Sequence, residues 1–287
     1  MSTNFVLAVD IGASWTRTLL AEDATGRAVA RQMWNTDTQI AGNTLAGLQL
    51  WGVNQLDSRD GELVGVGIGV AAPNENGVIA ETANLPGWEG LNLHREFQMF
   101  RLPSNNCVVV DNDTIMGALG EYARNSQSLG FLALGSGVGW GVLRKPSGKG
   151  RVLPEREATE GGHIIIDVRS RVRCGCGAFG CLEALVGGVH LKQRFGCPPG
   201  RAHDSQWLPV LKDLAAGICS LAASRSRGLP IYLGGGVMEK QGHRFELLCQ
   251  LVEKRCGRTV PVPPLALATA GAESALVGAV YAARNLR

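Results

Sequence analysis

Short apolar runs alternate with stretches of helical period along this chain. The run FVLAVD (5–10) is β-rich, ends on an acid and breaks at IGASWT before a second apolar stretch at 17–21, which predicts a strand, a tight turn and a returning strand. Leu45, Leu48, Leu50, Val53 and Leu56 recur near helical spacing, so a helix is expected over 43–56. An alternating Val/Gly/Ile strand at 64–70 runs into the turn cluster AAPNENG. A strand at 107–110 ends on Asp111, Asn112 and Asp113 and gives way to a helix at 114–124. The opening plan then returns, because FLALGSGVGWG (131–141) again reads strand, glycine turn, strand, as an internal duplication would. A helix over 208–224, a strand at 230–233 ending in three glycines, and helices over 244–254 and 272–284 complete the pattern. Strands alternating with helices predict an α/β fold, and the two similar openings predict two related halves with a cleft between them.

One stretch resists this reading. The segment at 81–93 (ETANLPGWEGLNL) is polar and turn-rich yet holds Trp88 between glycines. It reads equally as a loop lying over a ligand or as a surface loop anchored by its tryptophan.

Composition narrows the class. With 287 residues, 45% hydrophobic and 18% charged, the chain can build two cores and is not disordered. A net charge of +3 with no long basic run argues against nucleic acid as a partner. No uninterrupted apolar run reaches the ~18 residues of a membrane span and no leader pattern is visible, so a cytoplasmic protein is expected. In a reduced compartment, Cys107, Cys197, Cys219, Cys249 and Cys256 are expected as thiols without bridges.

The stretch at 160–183, EGGHIIIDVRSRVRCGCGAFGCLE, is the hardest to explain as packing. His163, Cys174, Cys176 and Cys181, joined by glycines where the backbone must turn, form the donor set of a closed tetrahedral Cys₃His zinc site. Disulfides are the poorer reading, since a C-x-C pair is strained and three cysteines leave one over. Four protein ligands leave no open position, so the zinc is expected to be structural. Pinning this loop would also pin Glu160 and Glu183 at its two ends.

Two glycine turns pair glycine with hydroxyl residues. One holds Gly12, Ser14 and Thr16, the other Gly135, Ser136 and Gly137. Backbone N–H groups in such turns form anion nests that suit a phosphate chain, although either turn alone reads as a simple hairpin. Neither is a Walker loop, so a nucleotide would be held by a two-hairpin clamp. Gly234, Gly235 and Gly236 would let backbone approach a flat ring. Asp10, at a strand end, can hold Mg²⁺ against nucleotide phosphates. Within the Asp111, Asn112, Asp113 triplet, one member can act as a base toward an attacking hydroxyl and any can cap the following helix. Glu160, His163 and Glu183, with Asn84 and Asn112, offer acceptors suited to a polyol.

These residues resemble the ROK family (repressor, open reading frame, kinase), most specifically in E-x-G-H at 160–163 followed by C-x-C-G-x-x-G-C-x-E at 174–183. The resemblance runs through most of the chain. It implies an α/β, two-domain actin-like (ribonuclease H-like) hexokinase-type fold with an interdomain cleft and a zinc-bound loop. It also implies ATP and Mg²⁺ dependence and a phosphorylated hexose, most simply glucose at its 6-OH. By the same resemblance DIGASWTR (10–17) and LGSGVGWG (134–141) correspond to phosphate motifs, LGGGV (233–237) to the adenosine motif and NLPGW (84–88) to the sugar-side loop. Asn112 and Asp113 correspond to the family's asparagine and catalytic aspartate. Glu160, His163 and Glu183 correspond to sugar-binding positions, with His163 facing metal through one nitrogen and sugar through the other. Ala13, Ala72 and Ile115 depart from the pattern and bear on substrate range and nucleotide geometry.

The expected organisation is an N-terminal α/β domain (1–112), a C-terminal α/β domain with the zinc loop (113–270), and a final helix (271–287) packing back on the first domain. A homodimer or higher homo-oligomer is expected. An N-acylhexosamine kinase, a fructokinase and polyphosphate as donor stay open, as does a non-catalytic sugar-responsive regulator. The repressor branch is disfavoured because the first strand begins at about residue 5, leaving no room ahead of it for a DNA-binding segment.

Overall fold

The opening apolar run forms β1 (Thr3–Ile11), buried almost throughout as a strand covered on both faces must be. The structure, a computed structural model, describes residues 3–100, 102–104, 107–146, 154–224, 226–257 and 261–285. After β1 come β2 (Trp15–Glu22), β3 (Ala28–Asn35), α1 (Ala41–Asp57), β4 (Gly61–Val70), the small hairpin β5 (Asn74–Glu75) and β6 (Val78–Ile79), α2 (Leu93–Glu96), β7 (Val108–Asn112) and α3 (Asp113–Asn125). The second half runs β8 (Leu129–Leu134), β9 (Val138–Arg144), β10 (Glu155–Thr159), α4 (Leu182–Val186), α5 (Gly188–Phe195), α6 (Asp204–Ser224), β11 (Ile231–Gly234), α7 (Gly235–Gln241), α8 (Phe245–Arg255), β12 (Leu265–Leu267) and α9 (Ser274–Asn285).

The main sheets share one plan. The first has the order β3-β2-β1-β4-β7 and the second β10-β9-β8-β11-β12. In each, three strands joined by antiparallel pairing are followed by two parallel additions. The returning pattern at residues 131–141 is thus a repeat of architecture.

The chain divides into two compact units. The first runs to Arg124 and includes the stretch from Ala275; the second spans Asn125–Ser274. In the first, α3 is held by close backbone approach to α9, since a Cβ on Gly278 would overlap the Met116 carbonyl oxygen. That contact explains why the helix opened by Asp113 groups with the N-terminal strands. The first core joins Leu7, Val9, Ile68 and Val70 to Leu45 and Leu48 of α1 and to Trp88. Trp88 is fully buried and donates Nε1–H to the Asp37 carbonyl at 2.8 Å, so the 81–93 loop is anchored by its tryptophan.

The second core packs Leu132 and Trp140 against Leu182, Leu185, Leu214 and Ile218. At 21 residues, α6 is long and apolar enough to cross a membrane by length and composition. No uninterrupted run signals this, because Lys212 and Asp213 break it. Trp207, Val210, Leu211, Leu214, Ile218 and Leu221 of this helix are all spent in the core.

Candidate functional site

In the first unit the parallel strands β1, β4 and β7 end together. Their register aligns Asp10 with Gly69 and Gly69 with Asp111, so acidic residues gather at the carboxyl ends of the strands, the usual site position in such sheets. Across the β1–β2 hairpin Asp10 lies opposite Arg17, and the two form an ion pair at 3.0 Å. Asp10 is only 5% exposed. Burial first, and then the like charge of Asp113, push its carboxyl up to about 7 against the opposing pull of Arg17.

At 111–113 hydrogen bonding fixes the start of α3. Asn112 Oδ1 accepts from the Thr114 N–H at 2.9 Å and so caps α3. Asp113 stands at the first helical position, where the helix dipole favours a carboxylate, and accepts from Thr114 Oγ1 at 3.3 Å. The first glycine turn is closed by Gly12 N–H donating to the Trp15 carbonyl at 3.0 Å, with Ser14 exposed. Thr16 instead points inward, fully buried, its hydroxyl 2.9 Å from that of Thr36. Asn84 is exposed on the Trp88 loop.

The second unit gathers the remaining residues. His163 Nδ1 lies 3.4 Å from Cys174 Sγ, while its Nε2 faces Glu160 Oε2 at 3.7 Å. Cys176 and Cys181 sulfurs stand 3.7 Å apart. The donor atoms of His163, Cys174, Cys176 and Cys181 all lie within 4.8 Å of one another. With metal–sulfur bonds of ~2.3 Å and metal–nitrogen bonds of ~2.05 Å, a tetrahedron has S···S edges of about 3.8 Å and S···N edges of about 3.5 Å. Both measured separations fit those edges, and the soft, closed donor set fits zinc. In the metal-free chain burial pushes the Cys174 thiol up to about 12, so taking up a cation must release protons.

Glu183, in the first turn of α4, ties this cluster to the second glycine turn. Its Oε2 accepts from the Val138 N–H at 2.9 Å and its Oε1 lies 3.7 Å from Cys174 Sγ. A Cβ on Gly137 would overlap that carboxylate, so a side chain there would displace Glu183 from its present position. The first N–H groups of α5 complete the seat: Gly188 donates to the Gly135 carbonyl at 2.9 Å and Val189 to that of Ser136 at 3.0 Å. Gly234 to Gly236 end β11 and begin α7, and Gly235 has φ +87° at a position where a Cβ would overlap the Leu134 backbone. The triple glycine is thus a strand-to-helix junction.

Two residues near these groups escape sequence reasoning. Arg17 could have been found by counting outward from the hairpin turn, which sets it opposite Asp10. His190 leaves no such signal. A ring nitrogen of His190 lies within 4.8 Å of ligand atoms of Cys174 and Glu183, and its Nδ1 is buried without a hydrogen-bond partner among the described residues.

Two α/β units of one strand plan, with acids at the strand ends and glycine turns between strands, define the actin-like kinase class of fold. The ROK family model matches residues 6–285, and the chain belongs to the ROK family. It is 30% identical over 187 residues to a glucokinase of Pyrobaculum calidifontis, a match covering 64% of this chain and 58% of that one. The chain spans only 43–58% of the length of the glucokinases first matched in this way. Among solved structures, a ROK family glucokinase from Streptomyces griseus in complex with glucose and AMPPNP superposes with a TM-score of 0.75 at 23% identity, covering 98% of this chain and 99% of that one. A ROK hexokinase from Thermus thermophilus superposes with a TM-score of 0.71 at 26% identity, covering 96% of each.

Proposed function

We propose that the protein is an ATP-dependent hexose kinase that transfers the γ-phosphoryl group of ATP to the 6-OH of glucose. The observation that carries this reading is the start of α3, where Asn112 caps the helix and the Asp113 carboxylate stands close enough to Asp10, at the strand ends, to raise its pKa. Asp113 is the general base: its carboxylate takes the proton of the sugar hydroxyl as that oxygen meets the phosphorus. Glu160, His163 and Glu183 read the sugar hydroxyls, assisted by Asn84 and Asn112. The turns at Gly12–Ser14 and Gly135–Gly137 hold phosphates through backbone N–H groups, and Gly234–Gly236 accommodate the adenine side. Thr16 supports the first turn through its bond to Thr36, rather than by touching phosphate.

Asp10 would hold Mg²⁺, which neutralises phosphate charge when bound. Zinc would be held by His163, Cys174, Cys176 and Cys181, and its contribution is to fix the loop between Glu160 and Glu183. His163, with Nδ1 toward the sulfurs and Nε2 toward Glu160, then serves both the metal and the sugar. Similarity to glucokinases supports glucose as the acceptor.

The test is ADP release with ATP and Mg²⁺ against a panel of hexoses and N-acylhexosamines. Glucose is expected to give the highest kcat/KM. Asp113→Asn is expected to lower kcat by about 100-fold or more with glucose binding retained. A variant that keeps a tenth of the rate removes Asp113 as base, and faster turnover of an N-acylhexosamine removes glucose as the substrate.

A further inference from the structure

Outside the candidate site, two thiols far apart in sequence come together in the second unit. Cys219 lies on α6 and Cys256 immediately follows α8, separated by 37 positions in the chain. Their sulfurs are 2.7 Å apart. The thiols of Cys176 and Cys181, by contrast, keep a 3.7 Å separation. A contact about an ångström closer than that is repulsive between two unbonded sulfurs and lies about three-fifths of the way to a covalent S–S bond. The backbone gives the pair a firm seat. The Cys256 N–H bonds to the Val252 carbonyl at 2.9 Å, and the Cys219 thiol points at the same oxygen at 3.7 Å. Both residues are half-buried at the rim of the second core, and Arg255 and Gly257 beside Cys256 are exposed.

We propose that Cys219 and Cys256 form an oxidative modification site, where a hydroperoxide-class oxidant joins them in a disulfide that ties α6 to the C-terminal end of α8. In the first step the Cys256 thiolate attacks a peroxide oxygen: an S–O bond forms, the O–O bond breaks, and the leaving hydroxide departs as water with the proton of the original thiol. In the second step the Cys219 sulfur attacks the Cys256 sulfenic acid: the S–S bond forms, the S–O bond breaks, and a second water carries off the Cys219 proton. Two thiols thus lose two electrons in total and one hydrogen peroxide is reduced to two waters.

The order follows from environment. Burial first, and then its neighbour Cys256, push the Cys219 thiol up to about 12 with Arg255 opposing, so Cys219 is suited to resolve rather than to attack first. The consequence follows from position. α6 and α8 both pack in the core behind β11, whose end carries the triple glycine, and α6 also supports Leu182 and Leu185 of α4, the helix that carries Glu183. A bond closing this 37-residue separation restricts the unfolded chain and holds that support together.

The full-length protein, treated with one equivalent of hydrogen peroxide, is digested without reduction and mapped by mass spectrometry. The expected product is a linked peptide pair carrying residues 219 and 256, lighter by two hydrogens than the sum of its thiol forms. Those two of the eight cysteines are also expected to resist iodoacetamide until a reductant is added. The oxidised protein should melt about 5 °C or more above the reduced one, and the double variant Cys219→Ser/Cys256→Ser should melt alike in both states. Complete alkylation of both thiols after peroxide overturns the proposal. So does a cross-link that joins either residue to a different cysteine, or a redox shift in melting that survives in the double variant.

Discussion

Ionising Asp10 costs stability, and replacing it with asparagine measures that cost. The carboxyl is 5% exposed and ion-paired to Arg17 at 3.0 Å, yet burial and the charge of Asp113 raise it from 3.8 to about 7. The folded chain therefore holds this proton more tightly than the unfolded chain does. The corresponding stability is fully present below about pH 4 and is lost as pH rises through about 7. About three pH units at ~1.36 kcal/mol each set a ceiling of about 4 kcal/mol on the loss. Asparagine stands in for the protonated acid and removes the ionisation, and the value of about 7 already includes the opposing pull of Arg17; with the ceiling roughly halved for relaxation and water penetration around the charge, the net gain expected at pH 8 is about 1–2 kcal/mol. In a chain of this size that is a rise in Tm of roughly 2–8 °C. Thermal unfolding of both proteins, free of nucleotide and magnesium, is followed from pH 5 to pH 8. The wild type should lose stability across that window while Asp10→Asn stays level and ends higher at pH 8. Parallel curves would falsify the burial argument. If Asp10 holds Mg²⁺ in the proposed reaction, the stabler variant should also be the poorer kinase.

Three further substitutions probe separate joints. Cys176→Ser should lower bound zinc, glucose affinity and melting temperature together, and elemental analysis showing full zinc in the variant would remove this cysteine from the donor set. Gly137→Ala places a methyl group on the Glu183 carboxylate and breaks its bond to Val138, so KM should rise about 10-fold or more for ATP and glucose alike; a change in only one would separate the turn from the acid. Gly278→Ala drives a methyl group into the Met116 carbonyl, and urea unfolding should show a loss of about 2–3 kcal/mol with kinetic constants little changed; an unchanged midpoint would mean that α9 shifts freely on α3.

Strong local patterns translated directly into structure. The β1–β2 and β8–β9 hairpins, α1, α6 and α9 follow from apolar runs and helical spacing, because a buried face imposes its period on the sequence. The edge strands did not announce themselves. β3 (AVARQMWN) is partly exposed and β10 (EREAT) is largely charged, so each is a strand only because a neighbour offers it a free edge. At the site, the Cys₃His cluster was legible because its spacing is local. What spacing cannot carry is the direction in which a side chain points. Thr16 faces the interior toward Thr36, Asn112 turns its side chain onto the Thr114 N–H to cap α3, and His190 approaches Cys174 and Glu183 from a neighbouring helix. The contact of Cys219 with Cys256 was invisible for the same reason, since it depends on how α6 packs against α8.

Glu183 shows why the parts of this unit cannot be adjusted separately. A carboxylate has two oxygens with about four acceptor positions. One oxygen already holds the Val138 N–H of the glycine turn, and the other lies beside Cys174, which ligates the metal in the proposed site. Once that sulfur loses its proton to a metal, it can no longer donate to Glu183, and two negative groups face each other unless another donor comes between them. A sugar hydroxyl bound to Glu183 supplies such a donor, and so does the nearby ring of His190. In the proposed site, occupation by metal would therefore make the acid a better acceptor toward the sugar, while the Val138 bond holds it in place. In the proposed site, acceptor recognition, the glycine turn and the metal loop would thus be coupled through one side chain, by the exchange of one hydrogen bond.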